Sequence, residues 1–175
     1  MFYIFAAVAV FSGLFVGRLT AFGIFSSFFL LLLVACAAAD INAGIVPDLI
    51  VFMIAVLGVV KYFITEPVSF YSALPHLIGA VCVSFPMLLI ALLIKGAFGG
   101  GDIKLMAAAG LYLGWKFALA GVAVGLSCAG LYGIYLLIIK KAGFKSKLRI
   151  APFLAYGLGI ATLFGDVLLK LLFGW

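Results

Sequence analysis

The chain has 175 residues, of which 69% are hydrophobic and only 9% charged, and its net charge is +6. Ordinary soluble domains are roughly a quarter charged, so the composition leaves no room for a sizeable water-soluble domain or for the basic face that nucleic-acid binding needs. Repeated apolar runs near 20 residues instead predict an all-α, polytopic membrane bundle, a single unit over 1–175, because backbone groups in hydrocarbon must be paired within their own segment.

Six to seven apolar segments are read in chain order: 2–17, 20–39, 46–65, 72–95, 103–115, 117–139 and 151–174. The first begins at Met1 without a basic leader or a small-residue cleavage site, so it is expected to be retained and not removed as a signal peptide. Pro86 falls inside the fourth and should kink it, since a proline has no N–H to give to the preceding turn. The fifth is short for the roughly 30 Å of hydrocarbon and is expected to be tilted or half embedded. Gly121, Gly125, Gly130 and Gly133 in the sixth predict close helix contact. Pro152 suits the first turn of the last helix. Cys36, Cys82 and Cys128 each lie within an apolar run, where they read as small buried hydrophobes.

The cluster Lys140, Lys141, Lys145, Lys147 and Arg149 separates the last two segments, and short basic loops stay in the cytoplasm. With seven crossings, that side also holds the N-terminus, Lys95, Lys104 and the stretches 40–45 and 96–102. Arg18, Lys61, Lys116 and Lys170 then fall on the other side, a charge bias in the expected direction.

Only five residues are acidic, and an ionisable group at membrane depth is a functional candidate. Glu66 in EPVSFYS reads as a solvated turn residue. Asp166 precedes Lys170 by four positions, which predicts an ion pair within one helix. Asp40, Asp48 and Asp102 remain, and all three fall at the inner face. Asp40 ends the second segment in AAAD, Asp48 follows Pro47 at the start of the third, and Asp102 opens the fifth after Gly99, Gly100 and Gly101.

Two carboxyls from different helices held at one depth cannot both ionise cheaply, so they share a proton. The ionised one takes a proton from water; the protonated one polarises a peptide carbonyl and later protonates the leaving amine, which is the chemistry of aspartic proteases. The three glycines can adopt backbone angles closed to other residues and leave no side-chain wall, so a substrate backbone can lie beside Asp102. The bland alternative is a loose turn with Asp102 as a helix N-cap. The helix dipole would then lower the Asp102 pKa and make it the base of the pair. Lys104, two positions on, reads as an interfacial lysine with its charge in water, or as charge balance for the pair, or as a substrate contact.

Taken together, these residues resemble the type IV prepilin peptidases. Gly99-Gly100-Gly101-Asp102-Ile103-Lys104-Leu105 looks like that family's GxGD motif. Asp40 is followed by Pro47 and Asp48 at the spacing of its aspartate and Pro-Asn pair. The segment Arg149-Ile150-Ala151-Pro152-Phe153-Leu154-Ala155-Tyr156-Gly157 is similar to its third signature. The resemblance implies a membrane aspartic endopeptidase with Asp40 and Asp102 catalytic and no cofactor. Its substrate would be a prepilin or pseudopilin precursor, with a short basic leader before an apolar helix. It also implies a bacterial or archaeal cytoplasmic membrane, the site facing the cytoplasm, and contact with pilus-assembly or secretion machinery.

Two departures stand out. Asp48 replaces the usual asparagine and would add a third negative charge near the pair. No N-terminal domain with paired CxxC motifs, associated with methyltransferase activity in the long relatives, is found, so the chain looks like the short form, similar to those serving Flp-type or tight-adherence pili, and no methylation is assigned to it. Other classes of function are a non-catalytic pilus-assembly subunit and a proton- or cation-coupled transporter, although acids at one end of the segments and the lack of an inverted repeat count against the latter. His76 is the single histidine and is placed near the outer face with a local partner, away from any serine motif. One histidine with scattered acids makes a poor zinc site.

Overall fold

The computed structural model describes residues 21–67, 69–94, 97–139 and 149–174. The first expected segment, Arg18, Lys95 and the four lysines of the basic loop lie outside the described residues. The described residues form seven helices: α1 (Ala21–Ala43), α2 (Asp48–Thr65), α3 (Phe70–Cys82), α4 (Ser84–Leu93), α5 (Gly100–Leu113), α6 (Trp115–Ile138) and α7 (Ala151–Phe173).

Among the described residues five stretches are long and apolar enough to cross a bilayer: Gly23–Ala43, Asp48–Thr65, Phe70–Leu93, Trp115–Ile138 and Ala151–Phe173. The chain is a multi-pass membrane protein. Its outward surface carries large apolar side chains such as Phe52, Phe63, Tyr71, Leu92 and Leu93, which is what hydrocarbon solvates and water does not. The fourth expected segment breaks as its proline requires. Pro86 offers no N–H to Cys82, α3 ends at Cys82, Val83 forms the turn, and α4 starts at Ser84. Pro152 sits in the first turn of α7, where its missing N–H costs nothing.

Helix α5 is the hub of the bundle. Its 14 residues extend about 21 Å, short of a bilayer crossing. It begins at Gly100, three residues earlier than expected, and buries Asp102, Leu105, Met106, Ala108, Ala109, Gly110, Tyr112 and Leu113. Side-chain contacts fix its direction. At one end Lys104 reaches Asp48 of α2; at the other, Lys61 of α2 reaches the Tyr112 carbonyl, so α2 and α5 run parallel. Helix α1 runs the opposite way, with Phe29 stacked on Tyr112 at 4.1 Å between ring centroids and Asp40 near Asp102. Helix α7 is antiparallel to α1: Leu30 lies against Gly159, and Ile41 bonds to Arg149 just before α7. Asp40, Asp48, Asp102 and Arg149 therefore share one end of the bundle, called here the aspartate end.

The far end of α5 is closed by side chains from two neighbours. Its last carbonyls have no helical partner of their own. His76 Nδ1–H of α3 donates to Leu111 O at 2.9 Å, and Lys61 Nζ donates to Tyr112 O at 3.1 Å while lying over the Tyr112 ring. Gly114 then turns the chain into α6 with a φ of 80°, an angle at which a Cβ is strained.

Glycines permit the closest helix approaches. Gly79 of α3 and Gly110 of α5 meet backbone to backbone, and Gly157 of α7 meets Gly121 and Gly125 of α6 in the same manner. Gly130 and Gly133, also expected at a helix contact, face open space instead. The Asp166–Lys170 pair read from the i,i+4 spacing is not formed. Phe164 breaks the helical geometry of α7 (φ −128°, ψ 27°), and Asp166 lines a cavity with Lys61, Tyr112 and Thr162. Among the described residues the ion pair is Asp48–Lys104.

Candidate active site

The site is assembled around the four-residue connection from Gly44 to Pro47. Helix α1 continues one turn past Asp40 and stops at Ala43, so Asp40 lies in the last turn and does not end the helix. Gly44, at φ 67°, gives its N–H to Asp40 O at 2.9 Å, the left-handed glycine stop that closes many helices. The chain then runs extended to Pro47, whose carbonyl takes the N–H groups of Ile50 and Val51 and starts α2. Within this connection Val46 is buried and packs against Gly101. A Cβ on Gly101 would stand 2.8 Å from Val46 Cβ. That contact fastens the α1–α2 connection to the first turn of α5.

The result is a cavity of about 390 Å³ lined by Asp40, Gly44 to Asp48, Gly99 to Asp102 and Lys104. Asp40 and Asp102, 62 positions apart in the chain, contribute to the same wall and are 7% and 8% exposed. Asp40 Oδ2 is buried with no hydrogen-bond partner among the described residues. Such an oxygen is costly unless a proton-bearing group meets it.

Asp102 is the third residue of α5, and Gly99 takes the N-cap place expected for it. Asp102 Oδ2 accepts the Gly99 N–H at 3.3 Å, half of a capping box whose other half glycine cannot supply. Asp102 lies in this first turn, outside the five spans. Burial pushes its carboxyl up to about 6; the Gly99 N–H opposes the rise and the charge of Asp40 adds to it. The helix dipole alone would lower the pKa, as expected from the sequence, and burial outweighs the dipole.

The three glycines act through their missing side chains. Gly99 is ordinary extended backbone at φ −74°, ψ 143°, Gly100 and Gly101 are helical, and none has positive φ. Gly101 admits Val46. Gly100 has nothing within 4 Å of where its Cβ would be. These two positions make a paired experiment. Gly101→Ala forces the α1–α2 connection away from α5 and is expected to lower both the unfolding temperature and activity. Gly100→Ala leaves the unfolding temperature unchanged and reduces activity only if substrate uses that space, which appears as a raised KM.

Asp48 does not add a third uncompensated charge. Lys104 Nζ donates to both its oxygens, at 2.8 and 3.0 Å, so Lys104 balances Asp48 and not the Asp40–Asp102 pair. The Lys104 and Asp48 side chains are 58% and 73% exposed, and exposed pairs contribute about 0–1 kcal/mol. Asp48→Asn is therefore expected to leave thermal unfolding in detergent nearly unchanged.

The sequence marks Arg149 as one positive charge of a basic loop and as the first residue of the third signature, without a role at the site. Its guanidinium donates to Ile41 O, one residue past Asp40, and borders Gly44. Its position at the head of the third signature was the available clue.

Comparison with known proteins supplies a second line. Residues 27–134 match the Type IV leader peptidase family. The chain is 30% identical over 143 residues to a prepilin leader peptidase/N-methyltransferase of Bacillus subtilis (strain 168), covering 81% of this chain and 56% of the relative. It is 29% identical over 158 residues to the protein of that name in Burkholderia pseudomallei (strain 1026b), covering 89% and 49%. The corresponding figures for the Pseudomonas putida protein are 29% over 141 residues, covering 77% and 47%. The chain thus spans about half the length of the curated relatives it matches. No solved structure matches it.

Proposed function

This chain belongs to the type IV leader peptidase family, and we propose that it is a membrane aspartic endopeptidase that removes the short basic leader of type IV prepilin or pseudopilin precursors. The observation that carries this reading is the convergence of Asp40 and Asp102, from α1 and α5, on one cavity at the end of the bundle. The comparisons support the substrate class through the names of the relatives.

In this reading Asp102, whose carboxyl is raised to about 6, holds the shared proton, and Asp40 is the base. Asp40 takes a proton from a water molecule as its oxygen bonds to the scissile carbonyl carbon. Asp102 gives its proton to the carbonyl oxygen. The tetrahedral intermediate then collapses: the C–N bond breaks, the proton that Asp40 took from water passes to the leaving amine, in place of the delivery from the initially protonated carboxyl expected from the sequence, and Asp102 recovers its own from the hydroxyl as the carboxyl product forms. Open space beside Gly100 admits the peptide backbone. The aspartate end faces the cytoplasm of a bacterial or archaeal cytoplasmic membrane, in keeping with Arg149 at this end and the basic loop before it. A precursor whose apolar helix lies in the bilayer then presents its leader junction to the pair, and pilus-assembly or secretion proteins receive the product.

The direct test is cleavage by the purified chain in detergent or liposomes. A precursor is expected to be cut once, at the leader junction, with mass spectrometry reading the site. Because Asp102 must be protonated, kcat/KM should fall on the alkaline side with a midpoint near pH 6. Folded protein that leaves the precursor intact across the pH range would favour a non-catalytic role in pilus assembly.

A further inference from the structure

Asp40 is held by something other than its own helix. It lies in the last turn of α1, whose terminal carbonyls lack helical partners. Gly44 satisfies Asp40 O from within the connection. The neighbouring carbonyl, Ile41 O, is taken by the Arg149 guanidinium, which arrives from the start of α7. The same guanidinium would lie 3.9 Å, through Nε and Nη2, from a Cβ on Gly44, so one side chain spans the α1 stop. Its charge acts on Asp40.

Among the described residues, Lys104 and Arg149 are the cations at this end. Lys104 is engaged with Asp48, and Asp102 is the other acid whose charge couples to Asp40. Arg149 is not among the residues that line the cavity; it meets α1 at Ile41 O, one residue past Asp40. It has no carboxylate within ion-pair distance among the described residues. A guanidinium spent on a helix-end carbonyl one residue past a buried acid orients that helix end and supplies charge there.

We infer that Arg149 is a positioning residue for Asp40, fastening the end of α1 to the start of α7 and keeping a positive charge near the carboxylate. The inference rests on the reading of Asp40 as one of the reacting pair. It gives the third sequence signature a physical role: the residue at its head secures the aspartate of the first.

The test compares Arg149→Ala, Arg149→Gln and Arg149→Lys with Asp40→Asn and Asp102→Asn, all purified and assayed on one precursor. Arg149→Ala and Arg149→Gln are expected to lower kcat by about tenfold with KM within twofold of the parent, since Arg149 does not line the cavity. Gln keeps hydrogen-bond donors without the charge, and Lys keeps the charge, so Lys should recover most of the loss and Gln should not. Should the alanine variant fail to fold, the Gln–Lys comparison decides. Full kcat in Arg149→Ala, a loss confined to KM, or a lysine variant no better than glutamine would overturn the inference while the aspartate variants stay inactive. Activity in both aspartate variants would instead remove the reading on which it rests.

Discussion

Asp40→Asn and Asp102→Asn are each expected to reduce kcat for precursor cleavage by at least about a thousandfold, the scale of losing an essential acid or base. The substitutions keep the size and shape of the side chains. An amide oxygen at position 102 can still accept the Gly99 N–H, so the start of α5 is preserved. At position 40 the buried, unpartnered Oδ2 becomes either an amide oxygen or an amide nitrogen, and the helix stop made by Gly44 is untouched. Unfolding temperatures should therefore stay close to that of the parent while cleavage disappears. The double variant should be no worse than either single one, since the pair works as a unit. A single variant that processes precursor at the parental rate would end the proposal of a shared-proton pair.

The second large effect concerns stability. Gly110→Ala is expected to destabilise the bundle by about 3 kcal/mol or more, the upper range of overpacking. A Cβ on Gly110 collides with Gly79 O and the Gly79 carbonyl carbon, which are backbone atoms inside a helix and cannot rotate away. Because α5 carries Asp102, the displacement also reaches the site. Loss of yield in detergent and a lowered unfolding temperature are the measurements. Gly130→Ala serves as the control: nothing lies within 4 Å of its Cβ position, and alanine is the better helix former by up to about 1 kcal/mol, so it should be neutral or mildly stabilising. Equal damage from both would show that the Gly79–Gly110 contact is not what holds α5.

Features set by local composition were legible in the sequence. Apolar runs predicted the spans, Pro86 predicted the break between α3 and α4, Pro152 predicted the head of α7, and the shared depth of Asp40 and Asp102 predicted that they could meet. What depended on which helix lies beside which was not legible. The Asp48–Lys104 pair joins positions 56 apart, and no spacing rule anticipates it. The i,i+4 rule did propose Asp166–Lys170, but the non-helical Phe164 precedes it and the pair is not made. The glycines before Asp102 were assigned conformational freedom they do not use; Gly101 is required by the side chain of Val46, a tertiary neighbour. Burial of Asp102 likewise reversed the direction of its pKa relative to the dipole argument, because desolvation depends on the packed bundle.

The closure of the far end of α5 by His76 and Lys61 has a mechanical corollary. A rod tied at its tail to two neighbours and at its head to the Val46 turn cannot slide along its own axis. The reacting group it bears is therefore held at a height set by protein, whatever the thickness of the surrounding lipid. Reconstitution into short-chain and long-chain bilayers should accordingly change the speed of processing but leave the cut at the same peptide bond.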